Sequence, residues 1–411
     1  MRFLYVTDRL PLPPLGGRAR RVHAVGQELV RRGHEVELFA VLPVEPVSLE
    51  TLQAARMSFV AVHQIQIPRS GSTAAAPPLG SEVQESVTWP FRRPEVIRAA
   101  RRVVGRQSFD GVIFDGLEAA SLRRHLPRST ACAIDIDRPT VASTGPGGLR
   151  RALSRALERW SQRREERRTL ESVSLVVARH REDRDLLQRQ APSARLVIVG
   201  DGVYEPESPP NDAQGKRLVI AGAFGEADEI DGLKWFANDV LPRIRERHPD
   251  VEAVFLAQEP DADLLALRQL PGVQLIDTRE IGTHLDSAAI VCVPNRFGAS
   301  ASGSILEGMI RQRAVVSTVN AARGLEVEDG RHLLLAPGEE GFATRCCKLL
   351  ERPDVALALA REGRSWCLSR ALWPIALRPL EPLVGWAMSS PKPLPAIDLV
   401  RPTSVRPRSP S

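Results

Sequence analysis

The residues best suited to chemistry lie together in Gly298-Ala299-Ser300-Ala301-Ser302-Gly303-Ser304-Ile305-Leu306-Glu307-Gly308-Met309. The apolar run Ile290-Val291-Cys292-Val293-Pro294 precedes them. The order reads as a buried strand, a Gly/Ser-rich loop and the first turns of a helix. That junction suits an anion. A helix N-terminus presents amides with no partner inside the helix and about half a positive charge. Glycine lets a phosphate approach the backbone, and the hydroxyls of Ser300, Ser302 and Ser304 can add donors. Glu307 follows inside the helix and can accept hydrogen bonds from sugar hydroxyls. The chemistry implied is the binding of a nucleotide-linked sugar.

Positioning such a loop requires a sheet and its helices. In the first half, strands are predicted over 2–6, 35–39, 60–67, 111–114, 131–136, 175–178 and 196–199. Helices are predicted over 20–32, with Val22, Val25 and Leu29 on one face, and over 94–105, 149–170 and 181–190. A Pro-rich loop containing Gly16-Gly17 joins the first strand to the first helix. The stretch 200–215, rich in Pro, Gly, Asp and Ser, reads as a domain boundary. The pattern then restarts. Strands are predicted over 217–221, 251–256, 273–276, 290–293, 314–318 and 332–336, and helices over 230–247, 341–350 and 355–366. Alternating strands and helices over two halves imply an α/β protein with two doubly wound parallel sheets. Ligands then bind at the carboxyl ends of the strands, in a cleft between the two domains. The expected units are 1–200, 201–370, a returning segment 371–388, and a Pro-rich tail 389–411 that reads as disordered.

Composition narrows the classes. The chain has 411 residues, 43% of them hydrophobic, enough for two cores. It has no apolar run of spanning length and no signal-peptide pattern, and five cysteines lack metal or disulfide spacing. A reducing cytoplasmic setting is expected. The formal net charge of +6 is concentrated: 150–168 holds eight arginines against three glutamates, and 389–411 four basic residues against Asp398. Nucleic-acid binding is not implied by charge so localised. The 149–170 helix carries Leu149, Leu153, Leu157 and Trp160 on one side with arginines around them. It can pack on the core with a solvated rim, or touch an anionic membrane.

The chain resembles the retaining glycosyltransferases of family 4, which have the two-domain GT-B fold. The resemblance spans nearly all of residues 1–388. It rests on Pro13-Pro14-Leu15-Gly16-Gly17 and Arg32-Gly33-His34-Glu35-Val36 in the first half. In the second half it rests on Asp231-Gly232-Leu233-Lys234-Trp235-Phe236, Leu306-Glu307-Gly308-Met309, Val315-Val316-Ser317-Thr318, Ala322-Arg323-Gly324-Leu325 and Asp329-Gly330-Arg331-His332, with Trp373 opening the returning segment. It implies a nucleotide-diphosphate sugar donor, transfer with retention, and no metal or other cofactor. It also assigns Glu307 to the nucleotide ribose, Arg296 and Gly298 to the loop around the donor phosphates, and Gly16 and Gly17 to the facing loop. Asp137 falls where many members have a histidine. The acceptor it leaves open: a saccharide, a lipid-linked sugar or a small molecule.

Departures from the family pattern are local. The first of its two spaced glutamates is replaced by Ala299. Basic residues usual at two further positions are Ser302 and Ser304. The stretch 222–228 has no Arg/Lys pair. Glycosyl transfer builds negative charge on the leaving phosphate, and stabilising that charge is the main catalytic task. Arg296 is therefore the leading candidate cation and Arg323 the second. The alternatives are a catalytically silent relative acting as a partner protein, or another GT-B chemistry such as epimerisation. His23, His180 and His284 read as surface or core residues, and Asp137-Arg138 also reads as a turn before Pro139.

Overall fold

The structure is a computed structural model that describes residues 1–11, 17–44, 49–67, 90–127, 131–136, 163–207, 215–221, 227–257, 262–277, 281–298, 301–380 and 385. Two sheets organise it. The first contains β1 (Arg2–Thr7), β2 (Glu35–Pro43), β3 (Ala61–Ile67), β4 (Gly111–Asp115), β5 (Cys132–Asp135), β6 (Leu175–Ala178) and β7 (Leu196–Ile198), in the order β3-β2-β1-β4-β5-β6-β7. The second contains β8 (Arg217–Ala221), β9 (Glu252–Ala257), β10 (Val273–Asp277), β11 (Ile290–Val293), β12 (Ala314–Thr318) and β13 (Leu334–Ala336), in the order β10-β9-β8-β11-β12-β13. Every pairing is parallel. The central strands are buried on both faces, and so their sequences are near-continuous apolar runs, whereas the edge strand β3 is partly exposed and alternates apolar with polar residues.

Both sheets reverse their strand order at a switch point, between β1 and β4 in the first and between β8 and β11 in the second. Crevices for ligands open there, beyond the carboxyl ends. The fold class expected from the sequence is thus observed: two Rossmann-like layered units, each with helices on both faces.

The chain crosses between the sheets twice. After β7 it passes through Val199–Val203, and it comes back near Ala371–Trp373. The two crossings pair: the Val203 amide donates to Ala371 O at 2.8 Å and the Trp373 amide to Val203 O at 3.1 Å. Trp373, Leu377 and Leu380 then bury themselves among Phe3, Tyr5, Val25 and Leu38 of the first core.

Two differences from the sequence reading have physical causes. The helix predicted over 230–247 is broken into Ala227–Trp235, a π-helical turn Phe236–Val240, and Leu241–Arg247. Pro242 has no amide to give and its ring crowds the preceding turn, so the backbone widens before it. The first helix runs Gly17–Arg31 and so starts before residue 20. Arg18, Arg20 and Arg21 consequently stand in its first turn or just after it. Of the predicted 149–170 helix, 163–171 is described and helical; its apolar residues from Leu149 to Trp160 lie outside the described residues, as does the 389–411 tail.

Candidate active site

The segment after β11 forms the second domain's side of the cleft. Gly298 turns the loop with φ +81°, and the helix Ser302–Ile310 follows. Its Ile305, Leu306, Met309 and Ile310 are buried against the sheet, which fixes where its N-terminus points. The Ala301 carbonyl receives the amides of Ser304 and Ile305 at 3.1 and 3.2 Å, closing the first turn. The Ser302 and Gly303 amides precede that turn's hydrogen bonds, as helix geometry requires. The loop after β12 braces this one. The Ala301 amide donates to Ala321 O at 2.9 Å, Thr318 Oγ1 donates to Asn295 O, and Arg323 Nη2 donates to Gly298 O at 3.2 Å. Two loops therefore make a single lip.

Of the predicted residues here, several are already engaged. The Ser302 hydroxyl donates to Asp201 Oδ2 at 2.6 Å, across the domain junction. Arg296 forks onto Asp231, with contacts of 2.7 to 2.9 Å, and lies over the Trp235 ring at 5.4 Å. Glu307 sits between two arginines: Arg20 of the first domain at 3.2 Å and Arg311 at 3.4 Å. Arg311 is anchored in turn by Asp286 at 2.9 Å.

The first domain answers with carboxylates at strand ends and arginines from the Gly17–Arg31 helix. Asp8, Asp115 and Asp135 stand at or just beyond the carboxyl ends of β1, β4 and β5. Arg18 contacts Asp115 at 3.1 Å and Asp8 at 3.5 Å, and Thr7 Oγ1 donates to Asp115 at 2.9 Å. Burial raises the Asp115 carboxyl above its ordinary range, with Arg18 opposing the rise. Burial likewise raises Glu118, aided by the charge of Asp8. Arg21 is fully engaged: its Nε donates to Asp135 at 2.7 Å, Nη1 to Gly200 O at 2.8 Å and Asp201 at 3.1 Å, and Nη2 to Val199 O at 2.9 Å. Burial alone would raise Asp201, but Arg179, Arg21 and the Ser302 hydroxyl outweigh it and hold the carboxyl down at about 2. Asp201 thus ties Arg21 and Arg179 of one domain to the first residue of the other domain's site helix.

A second seam lies beside it. Gly324 has φ +86°, and a Cβ there would stand 2.6 Å from His180 Cβ. His180 is buried and pairs with Asp183 at 2.9 Å, a structural role at the start of the helix Arg181–Gln190. His23 is partly buried, and that burial lowers its pKa. His284 lies at intermediate depth on the helix Ile281–Asp286.

The structure therefore brings Gly298, Ser302, Gly303, Ser304, Glu307 and Arg323 together at one lip, with Arg296 at its edge against Asp231. Gly17 opens the helix that faces them. Gly16, Asp137 and Ser300 lie outside the described residues. The sequence reading had not singled out Arg18, Arg20, Arg21, Asp115 or Asp201. Three arginines at the start of a helix oppose its dipole, and that local conflict was the available signal.

Comparison with known proteins follows the same lines. Residues 215–352 match the model of the glycosyl transferases group 1 family. No curated protein sequence matches the chain. Among solved structures, sucrose-phosphate synthase from Thermosynechococcus elongatus is 14% identical with TM-score 0.68, over 92% of this chain and 97% of that one. WaaG, a glycosyltransferase involved in lipopolysaccharide biosynthesis, is 14% identical with TM-score 0.65, over 95% and 100%. HepE from Anabaena, in complex with UDP and glucose, is 11% identical with TM-score 0.65, over 91% and 96%. The family match thus falls within the second half of the chain, at residues 215–352, and the chain has the GT-B fold.

Proposed function

We propose that the chain transfers a sugar, with retention, from a nucleoside-diphosphate sugar to an acceptor held by the first domain. The observation that carries this reading is the lip itself: the N-terminus of the Ser302–Ile310 helix, its two braced loops, and Glu307 one turn further on. In this reading the amides of Ser302, Gly303 and Ser304 and the Gly298 turn hold the diphosphate. Glu307 binds the ribose hydroxyls, and Arg296 and Arg323 flank the phosphates with Ser300. Gly16, Gly17 and Asp137 approach from the first domain. Side-chain cations and backbone amides carry the leaving charge, so the reaction proceeds without a metal or other cofactor.

The acceptor belongs to the same reading. Several first-domain arginines, Arg92, Arg123, Arg124, Arg164 and Arg168, line a groove of about 900 Å3 beside the 163–171 helix. Such a surface supports peripheral contact with an anionic membrane and a lipid-linked or saccharide acceptor. Among the described residues no helix is long and apolar enough to cross a membrane. Co-sedimentation with anionic but not neutral vesicles is the expected outcome.

Calorimetric titration with uridine and guanosine diphosphate tests the donor side. Binding of one of them, with slow release of that nucleotide from its sugar conjugates, is expected. A second reading has its own observation: Ser302 and Glu307 already have protein partners, as in a silent relative that no longer binds nucleotide. A folded sample that binds neither diphosphate selects that reading.

A further inference from the structure

A diphosphate leaving group needs cations to stabilise the charge that builds on it. The second domain has Ser302 and Ser304 at the lip; its Arg296 and Arg311 are held by carboxylates, and its Arg323 braces a loop carbonyl. Arg296 is forked onto Asp231 at 2.7 Å. Arg311 lies at the far end of the site helix, about 13 Å from its N-terminus by helix rise, and is anchored by Asp286 at 2.9 Å. Arg323 donates to Gly298 O at 3.2 Å. In the first domain, Arg18 and Arg21 each touch two carboxylates on or next to their own sheet. Arg20 differs. Among the described residues its one charged partner is Glu307, on the facing domain, at 3.2 Å. Its Nη1 also lies 3.7 Å from where a Cβ on Gly303 would stand, so it already hangs over the helix N-terminus.

Resting on the reading of the lip as a diphosphate-sugar site, we propose that Arg20 is the catalytic cation for the leaving diphosphate. Without ligand it is parked on Glu307. When the ribose hydroxyls take that carboxylate, the guanidinium turns from Glu307 onto the phosphate held by the Ser302–Ser304 amides. The Arg20 and Glu307 side chains keep 15% and 19% of their surface exposed, so a ligand can reach between them. In the transfer, the anomeric C–O bond to the β-phosphate breaks and leaves its electron pair on the phosphate oxygen. The acceptor oxygen bonds to the anomeric carbon, and the acceptor's proton ends on the released diphosphate. Arg20 donates hydrogen bonds to that diphosphate and keeps its own protons. A planar guanidinium suits this work because it can fork onto two phosphate oxygens.

The test compares wild type, R20A and R20K. Each is titrated with uridine and guanosine diphosphate and with the matching monophosphates, and each is assayed for nucleotide release from UDP-glucose and GDP-mannose. Thermal unfolding confirms that each variant folds; R20Q replaces R20A if R20A does not. Expected for R20A is a loss of diphosphate affinity of tenfold or more with monophosphate affinity changed less than threefold, and turnover lower by about 10²–10³-fold. R20K should recover part of both. Diphosphate affinity unchanged in R20A overturns the role of Arg20 and leaves the donor-site reading standing. Tighter binding in R20A does the same and identifies the arginine as a plug on Glu307. Failure of the wild type to bind either diphosphate overturns both.

Discussion

Replacing Asp201 by Asn isolates the junction that aligns the two halves of the site. The substitution keeps the shape and removes the charge. Three contacts depend on that charge: Arg21 at 3.1 Å, Arg179 at 3.4 Å and the Ser302 hydroxyl at 2.6 Å. The fall of the carboxyl from its ordinary 3.8 to about 2 corresponds to about 2 kcal/mol of stabilisation of the charged form. Breaking a buried ion pair outright typically costs ~3–5 kcal/mol. Arg21 keeps Asp135 at 2.7 Å, so the loss belongs between these limits, at about 2–4 kcal/mol. The pH dependence gives a second handle. A carboxyl whose folded pKa is depressed stabilises fully above its unfolded pKa and loses that contribution as pH falls through the folded one. The gap between wild type and D201N is therefore full above pH 4 and closes toward pH 2. Urea unfolding, fitted for each transition because the chain has two sheets that each carry their own core clusters, measures both. Equal midpoints at pH 7, or a gap that widens between pH 5 and pH 2, would refute the reasoning.

Other substitutions reach the site by separate routes. E307A should weaken binding of the preferred nucleoside diphosphate about tenfold to a hundredfold, since a hydrogen bond to a charged group is worth ~1.5–3 kcal/mol. The sharper readout is discrimination against the 2′-deoxy nucleotide, which should vanish in E307A; if it persists, the ribose assignment is wrong. G324A places a Cβ 2.6 Å from His180 Cβ on a backbone with φ +86°. The conformational cost alone is ~1–2 kcal/mol, and the seam between Gly324 and His180 must open as well. A lower unfolding midpoint with faster proteolysis near residues 180 and 324 is expected, and unchanged values would exclude that close approach. D231N should release Arg296 from its fork. If Arg296 serves the phosphates, diphosphate affinity then rises or holds; if Asp231 orients it for that purpose, affinity falls, and the two outcomes separate positioning from competition.

The central strands were legible because parallel strands buried on both faces leave apolar runs between Gly and Pro punctuation, and the edge strand β3 because its residues alternate. The loop and helix start of the lip were legible for a different reason. Both sit with the carboxylate within one short segment, Gly298 to Glu307, so local chemistry exposes them. What faces that lip was not legible. The partners of Arg18, Arg20 and Arg21 are Asp115, Glu307, and Asp135 with Asp201. They lie at strand ends, a crossing and the second domain, far apart in the chain. No local pattern joins them; only the sheet order does, by bringing β1, β4 and β5 side by side.

The same logic explains why Ser302 reads differently in sequence and in structure. In sequence it is a hydroxyl at a helix N-terminus, a natural phosphate donor. In the folded chain Asp201 reaches it first, from the crossing after β7, and a hydroxyl that donates to a buried carboxylate at 2.6 Å cannot also donate to a ligand. The helix N-terminus keeps its amides, but among the described residues the remaining hydroxyl there is that of Ser304. The site helix is consequently held to the first domain by the same carboxylate that holds Arg21, and Arg21 stands next to Arg20. Any change in the angle between the domains that loosens Ser302 from Asp201 also moves Arg20 relative to Glu307. S302A and D201N should for that reason be non-additive with R20A in diphosphate affinity, with a coupling above 0.5 kcal/mol, the lower end for residues in one network. Strict additivity would separate the junction from the cation and leave each to act alone.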